Sequence, residues 1–225
     1  MAAPQNASEG LALLFDIDGV IVDSNPVHVA VWRDYLKPYG IDPGEGLPGR
    51  MYGRRNDDIV RDFFGAGLSP EEILARGAEK EALYREVMRR QLQGRLVPGV
   101  ASFLQSHRKM AMAVATNAEP ANAEFILKEA GIWSLFTVVV DGHQVEQPKP
   151  APDIYLLTAD LLGVPPRNCI VFEDSTAGVE AAHAAGTRIV ALTTTQTDFP
   201  FVDLMIPNFL GPEVEAWLGR QAVRP

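Results

Sequence analysis

Three apolar runs of this chain end in polar side chains that can do chemistry. Short, purely apolar runs are typical of strands buried on both faces of a parallel sheet. Because such strands carry functional groups at their carboxyl ends, the polar side chains are expected to meet at one edge of a sheet. The residues that follow the three runs are Asp16 and Asp18, Thr116 and Asn117, and Glu173 and Asp174.

The carboxylates in this set predict a magnesium site. Carboxylates that two strands deliver to one edge repel each other unless a cation lies between them. Hard oxygen ligands, with water completing the shell, are the ligands that Mg²⁺ prefers. We therefore expect Asp16 and Asp174 to give one oxygen each, and the backbone carbonyl of Asp18 to give another.

The other polar groups fit the binding and transfer of a phosphate. Lys149 stands in a proline-rich segment, QPKPAPD. Its charge, the Thr116 hydroxyl and the amide of Asn117 are suited to the remaining phosphate oxygens. Asp16, ionised beside the metal and Lys149, is then placed for in-line attack on phosphorus, which forms an aspartyl-phosphate. Asp18, kept able to carry a proton by the crowded carboxylates, is expected to protonate the departing oxygen and later to take a proton from water.

The elements between these residues predict the fold that positions them. From residue 98 onward, helical segments alternate with short strands, which is typical of right-handed βαβ units and a parallel sheet. Residues 25–92 show helix signals and no strand signal. The sequence thus predicts an α/β fold with a doubly wound parallel-sheet (Rossmann-like) core domain, residues 1–24 and 93–225, and an inserted α-helical cap domain, residues 25–92.

Local signals within the cap predict where its helices begin. The segment Ser69-Pro70-Glu71-Glu72 has a capping Ser, a Pro at the first helical position and a Glu at the third. Asn56 is expected to cap a shorter helix, and the Gly- and Pro-rich residues 41–53 are expected to form a loop. Such an insert would lie over the carboxyl ends of the strands as a lid.

Composition and charge exclude several classes of partner. The net charge of −9 argues against nucleic acid, whose phosphates are bound by Lys and Arg. No apolar run approaches the roughly 18–20 residues that cross a membrane, and residues 1–10 lack the features of a signal peptide. Cys169 is the single cysteine, so no internal disulfide can form, which fits a reducing compartment. We expect a cytoplasmic protein, monomeric or weakly dimeric, whose partner is a small phosphorylated metabolite.

Four motifs carry a resemblance to a known family. FDIDGVIVDS, ATNAE, KPAPD and FEDSTAGVEAA, in this order and spacing, resemble the motifs of the haloacid dehalogenase superfamily. More narrowly, they resemble its phosphatase and beta-phosphoglucomutase-like branch, which has a helical cap. The resemblance implies Asp16 as nucleophile, Asp18 as general acid/base, Thr116 and Lys149 as phosphate binders, Asp16, Asp18 and Asp174 as Mg²⁺ ligands, and Glu173 as an acid that reaches the metal through water.

Substrate contacts are expected from the cap. His28 and Trp32 lie on one predicted helix face, and beta-phosphoglucomutases, which this segment resembles, use the matching His on the sugar and the nucleophile. The alternative is that Trp32 packs within the cap and His28 only borders the cleft. Arg54 and Arg55, in a loop expected to face the core, are candidates for binding an anionic or polyhydroxylated leaving group, or else for solvated surface charge.

The motifs leave three functions open. The first is a Mg²⁺-dependent phosphatase that hydrolyses a small phosphorylated metabolite, such as a sugar phosphate. The second is a beta-phosphoglucomutase-type phosphomutase, but Glu119 stands where such mutases tend to carry a Lys for the second phosphate. The third is a non-enzymatic receiver-type phosphoacceptor, which does not need a helical insert. We therefore expect the phosphatase.

Overall fold

The core of the protein is one parallel sheet of six strands. A computed structural model describes residues 10–221. The strand order across the sheet is the third, second, first, fourth, fifth and sixth strand of the chain, all parallel. The strands are β1 (Ala12–Phe15), β2 (Ala111–Thr116), β3 (Val138–Asp141), β4 (Cys169–Glu173), β5 (Arg188–Leu192) and β6 (Leu204–Ile206).

Helices cover both faces of this sheet and form the insert after β1. Short 3₁₀ helices lie at Lys37–Tyr39, Trp133–Leu135 and Pro166–Asn168. The helices are α1 (Asn25–Leu36), α2 (Leu47–Met51), α3 (Asn56–Phe64), α4 (Pro70–Arg89), α5 (Leu92–Arg95), α6 (Val100–Ser106), α7 (Pro120–Glu129), α8 (Asp153–Leu162), α9 (Thr176–Ala184) and α10 (Glu213–Gln221). Within residues 10–221, none of these helices has the length and apolar character to cross a bilayer.

The strands are purely apolar because both faces of the sheet are buried. Leu13 and Phe15 of β1 pack in one core with α6, α7 and α10, whereas Ala12 and Leu14 pack in the other core with α8 and α9. The predicted α/β fold, a doubly wound parallel sheet, is therefore confirmed.

The register of the central strands places their carboxyl ends side by side. Phe15, the last residue of β1, pairs with Val114 on β2 and with Phe172 on β4. The next residue, Asp16, is consequently level with Glu173, and Thr116 lies one residue further along β2. Three of the predicted polar positions thus meet at one edge, as the alternation of apolar runs and polar ends indicates.

The helices between β1 and β2 have a hydrophobic cluster of their own. The helix predicted to begin after Ser69 is α4, and it has the expected capping box. The amide of Glu72 donates to Ser69 Oγ at 3.2 Å, and the amide of Ser69 donates to Glu72 Oε2 at 2.7 Å. The division into core and cap at residues 24/25 and 92/93 remains a prediction, which this cluster supports. Its buried members are Trp32, Tyr35, Leu36, Leu47, Met51, Ile59, Val60 and Ile73.

Two local predictions in this insert were wrong. Residues 41–53 are not all loop, because α2 forms there around the buried Leu47 and Met51, whose packing outweighs the Gly- and Pro-rich composition. Asn56 is not a cap but the first residue of α3, preceded by Arg55 in extended conformation. The side chain of Asn56 is buried against α4, where a Cβ on Gly77 would lie 2.7 Å from Asn56 Nδ2.

The packing at the centre of the sheet predicts how much stability is lost when a buried aromatic side chain is truncated. Phe15 is fully buried and stacks on Phe172 with ring centroids 4.6 Å apart. We expect Phe15→Ala to lower the free energy of unfolding by about 3–5 kcal/mol, through lost burial and the cavity left behind. Denaturant unfolding measures it, with Leu210→Ala as control because Leu210 is 71% exposed. Equal effects of the two substitutions would contradict the placement of Phe15.

Candidate active site

Asp16 is held at the carboxyl end of the central strand. Its backbone amide donates to the carbonyl of Phe172 at 3.0 Å, which continues the β1–β4 pairing by one residue. The chain then turns at Gly19, whose φ of +72° lies in the left-handed region. A Cβ on Gly19 would lie 1.8 Å from Asp174 Oδ2, so the turn can approach Asp174 only with glycine at this position.

Lys149 joins the ends of three strands. Its Nζ donates to Asp16 Oδ1 at 3.0 Å, to Glu173 Oε1 at 2.6 Å and to the carbonyl of Ala115 at 2.9 Å. Burial would lower the pKa of Lys149, but Asp16 and Glu173 raise it above its usual value. The ammonium is therefore a fixed positive charge beside Asp16, as the sequence predicts.

Glu173 anchors Lys149 and the turn that follows β4. Its Oε1 also accepts from the Tyr155 hydroxyl at 2.8 Å. Its Oε2 accepts from the amides of Asp174 at 2.9 Å and Ser175 at 3.1 Å, and from Ser175 Oγ at 3.0 Å. Both oxygens of this fully buried side chain are thus engaged, which gives Glu173 a clear positioning role. The predicted contact of Glu173 with a metal through water remains a prediction.

Three carboxylates form an acidic cluster that suits a divalent cation. Oxygen atoms of Asp16, Glu173 and Asp174 lie within 4.8 Å of one another. Burial raises the pKa of Asp16 to about 7, against the opposing charge of Lys149. Burial also raises the pKa of Asp174 well above its usual value, with Glu173 and Asp16 adding to the rise. Three buried acids that share one ammonium carry excess negative charge, and an oxygen-binding cation such as Mg²⁺ would offset it.

Asp174 is oriented by hydroxyl and amide donors. Its Oδ2 accepts from Asn25 Nδ2 at 3.1 Å, from Thr194 Oγ1 at 3.5 Å and from the Thr195 hydroxyl. Asn25 also donates to Thr195 at 3.0 Å. These contacts fix one oxygen of Asp174 close to the turn at Gly19.

Asp18 faces the insert, away from Lys149. Its Oδ1 accepts a hydrogen bond from the Ser24 hydroxyl and lies 3.6 Å from His28 Nε2. Burial would raise the pKa of Asp18, but hydrogen bonds and charge from His28 and Ser24 lower it below the usual value. The pKa shifts of Asp16 and Asp18 are therefore the reverse of those expected, because burial, with a smaller contribution from neighbouring acids, raises the pKa of Asp16. A cation beside Asp16 would lower the pKa of that group.

A buried polar chain continues from His28 across the insert to the core. His28 stacks on Tyr84 with centroids 3.8 Å apart, and its Nδ1 lies 2.7 Å from Lys80 Nζ. Lys80 pairs with Glu81 at 2.7 Å, and Glu81 accepts from Asn122 of α7 at 2.6 Å. His28 thus borders both the site and this chain.

Sequence reasoning missed Lys80, Glu81 and Asn122. A signal for the first two was present: they fall on the α4 face that also carries Ile73, Gly77, Tyr84 and Met88, at helical spacing. Charged residues on the apolar face of an amphipathic helix are buried and paired. Asn122 has no comparable local signal, since its role depends on a contact between α4 and α7.

Thr116 and Asn117 lie at the carboxyl end of β2, where the sequence predicts them, and the Asn117 side chain also makes hydrogen bonds that were not predicted. Thr116 Oγ1 accepts from the amide of Ala118 at 3.1 Å. Asn117 Nδ2 donates to the carbonyl of Gly53 at 2.9 Å, while its Oδ1 accepts from the amide of Lys149 at 3.4 Å. Asn117 therefore ties the loop before α3 to the core.

The two arginines of that loop are held by acidic and polar partners. Arg54 donates to Asp62 at 2.7 Å and to the carbonyl of Arg50 at 2.8 Å. Arg55 lies 3.0 Å from His143 Nδ1 and 3.8 Å from Asp57. The structure brings Arg54 to the wall of the cavity described next and leaves Arg55 outside its lining. Their contacts with a substrate remain predictions.

A narrow cavity of about 60 Å³ lies between the insert and the strand ends. Glu173 lies behind it rather than in its lining. The predicted residues that line it are Asp16, Asp18, His28, Arg54, Thr116, Asn117, Lys149 and Asp174.

Comparison with known proteins agrees with this architecture. A family model described as haloacid dehalogenase-like hydrolase matches residues 11–186. The chain belongs to this family. The predicted resemblance is thus confirmed, and this haloacid dehalogenase-like hydrolase is an enzyme of the phosphatase and phosphomutase type.

Several relatives of this haloacid dehalogenase-like hydrolase match nearly all of their own length. Protein CbbY of Rhodobacter capsulatus is 32% identical over 221 residues, covering 91% of this chain and 96% of the relative. The fructose-1-phosphate phosphatase YqaB of Escherichia coli (strain K12) is 38% identical over 178 residues, covering 77% and 92%. A beta-phosphoglucomutase structure from Clostridium difficile, 24% identical, covers 96% of this chain and 100% of that one with a TM-score of 0.82, which shows a shared fold.

The packing of Glu173 predicts that Gly178 tolerates no side chain. A Cβ on Gly178 would lie 1.9 Å from Glu173 Cδ and Oε1. Gly178→Ala is expected to displace Glu173 and with it Lys149, lowering both activity and the free energy of unfolding, the latter by about 1–3 kcal/mol. Thermal unfolding and phosphate release measure these effects.

Gly94→Ala is the matched control for this substitution. Gly94 lies in α5 with nothing within 4 Å of its Cβ position, so alanine there is expected to be neutral or slightly stabilising. A Gly178→Ala protein as stable and active as the Gly94→Ala protein would contradict the anchoring role of Glu173.

Proposed function

We propose that this chain is a Mg²⁺-dependent phosphatase that hydrolyses a small phosphorylated sugar through an aspartyl-phosphate on Asp16. The observation that carries the proposal is the contact of Lys149 with both Asp16 and Glu173 at the edge of the cavity between the insert and the strand ends. Phosphoryl transfer through an aspartyl-phosphate needs a nucleophilic carboxylate, a fixed positive charge and an acid/base. Asp16, the Lys149 ammonium 3.0 Å from it, and Asp18 are suited to these three roles.

Phosphate binding falls to groups at the strand ends. The Lys149 ammonium neutralises phosphate charge, and the Thr116 hydroxyl with the backbone amide of Asn117 hydrogen-bonds the remaining oxygens. Bound Mg²⁺, held by Asp16, Asp174 and the carbonyl of Asp18, would supply the positive charge that the acidic cluster lacks. Lys149 and the metal site thus bring an anionic ester close to an anionic nucleophile.

Asp16 then accepts the phosphoryl group, and Asp18 transfers the proton. An Asp16 oxygen bonds to phosphorus as the ester P–O bond breaks, and Asp18 gives its proton to the departing alcohol. Water next attacks phosphorus and loses a proton to Asp18, which restores the Asp16 carboxylate and releases phosphate. Ser24 and His28, which contact Asp18 Oδ1, orient it for both steps.

Names of relatives support a sugar ester as the substrate. The E. coli relative is named as a fructose-1-phosphate phosphatase. The fold of the C. difficile protein, named as a beta-phosphoglucomutase, keeps a phosphomutase as the second candidate, since a mutase shares the same core residues. The helical insert and the family favour an enzyme over a receiver-type phosphoacceptor.

A phosphate-release panel tests the proposal. The protein is assayed with Mg²⁺ on many small phosphomonoesters, with and without chelator, while β-glucose 1-phosphate is followed for conversion to the 6-phosphate. We expect free phosphate from one or a few sugar phosphates, and loss of release on chelation. Isomerisation without release would establish the mutase instead, and release that persists in chelator would contradict the metal site.

The nucleophile has its own test. Asp16→Asn removes the charge and nucleophilicity of the group with little change in shape, so we expect phosphate release to fall by at least about 10³-fold. Circular dichroism should show an unchanged fold. Asp160→Asn, at an exposed position on α8, is the control and should retain full activity. Substantial turnover by the Asp16→Asn protein would contradict the nucleophile assignment.

A further inference from the structure

The cavity wall beyond the proposed phosphate-binding residues contains both basic and acidic side chains. We call this surface the leaving-group wall and define it by Trp32, Arg54, Asn56, Lys80, Glu81 and Glu119, all of which line the cavity. Two of its members are basic and two are acidic. What such a wall can bind depends on whether the basic groups are free to meet an anion.

Both basic groups of the leaving-group wall are already paired with acids. Lys80 is buried, lies 2.7 Å from Glu81 Oε1 and also contacts His28. Arg54 donates to Asp62 at 2.7 Å. The charge of Lys80 is therefore offset within the protein, and that of Arg54 is partly offset, since Arg54 Nη1 donates to Asp62 and to the carbonyl of Arg50.

Glu119 adds a carboxylate that forms no direct ion pair with a Lys or Arg of residues 10–221, although Arg55 lies 3.0 Å from its partner His143. Its described partner is His143, with Nε2 3.2 Å from Oε2. Burial raises the pKa of Glu119, His143 opposes this, and the carboxylates of Glu81 and Asp57 raise it further. The surroundings of Glu119 therefore act against a further negative charge at this part of the wall.

We propose that Glu119 makes the leaving-group wall select against phosphate esters whose alcohol carries a second phosphate or a carboxylate. This inference rests on the proposed phosphatase activity and narrows its substrate class. Its physical basis is that selectivity against a competitor arises from unpaired like charge as much as from new contacts.

Matched pairs of esters test the selectivity. Fructose and glucose monophosphates are each compared with the 1,6-bisphosphate of the same sugar, and kcat/KM is measured from phosphate release with Mg²⁺. We expect the monophosphate to exceed the bisphosphate by at least about tenfold. Glu119→Lys should narrow that ratio about tenfold or more, and Glu119→Gln by less, because it removes the charge without reversing it.

Glu124→Lys supplies the control on the same helix. Glu124 is exposed and pairs with Lys128, so its reversal changes net charge equally but leaves the cavity untouched. We expect the ratio of wild-type protein to persist in Glu124→Lys. An equal change in both variants would assign the effect to overall charge and overturn the role of Glu119.

The outcomes separate this inference from the function on which it rests. Equal kcat/KM for monophosphate and bisphosphate in the wild-type protein would overturn the selectivity while leaving the phosphatase intact. A wild-type preference that Glu119→Lys does not alter would overturn the role of Glu119. Release of phosphate from no ester of the panel would overturn both the inference and the proposed function.

Discussion

One buried ammonium group connects the parts of the fold that the chemistry needs. Lys149 bonds to carboxylates beyond β1 and at the end of β4, and to a carbonyl of β2, three strands that are neighbours in the sheet. A buried charge without its partners is strongly destabilising, so these contacts must form together. Glu173 makes the arrangement rigid through Tyr155 and the turn amides. The arrangement of polar groups at this edge is therefore a property of the packed sheet, not of any one segment.

The two aspartates of the first motif are close in sequence but have different surroundings. Asp16 faces the core and its ammonium, whereas Asp18 faces Ser24 and His28 at the start of the insert. From His28 the polar contacts run through Lys80 to Glu81, which bonds to the core again. The insert thus supplies the surroundings of the proposed acid/base and most of the leaving-group wall.

Much of this arrangement follows from local sequence, and the rest depends on tertiary contacts. Apolar runs that end in Asp16 or Glu173 are sufficient to predict a parallel sheet with acids at one edge, because strand direction alone brings them together. Lys80 escaped prediction because a charged helix residue is usually solvated, and only its packing under His28 shows that it is buried. The helix α2 was missed because packing of Leu47 outweighs the Gly- and Pro-rich composition around it.

The central claim is that the phosphoryl group passes through Asp16, and trapping that intermediate tests it most directly. The protein is mixed with substrate and Mg²⁺, quenched in acid during turnover and reduced with borohydride, which converts an aspartyl-phosphate to homoserine. Mass spectrometry of the tryptic peptide that ends at Arg33, the first Lys or Arg of the chain, then locates the change. We predict homoserine at position 16. Turnover with no modified peptide, or with the change at another residue, would contradict the account.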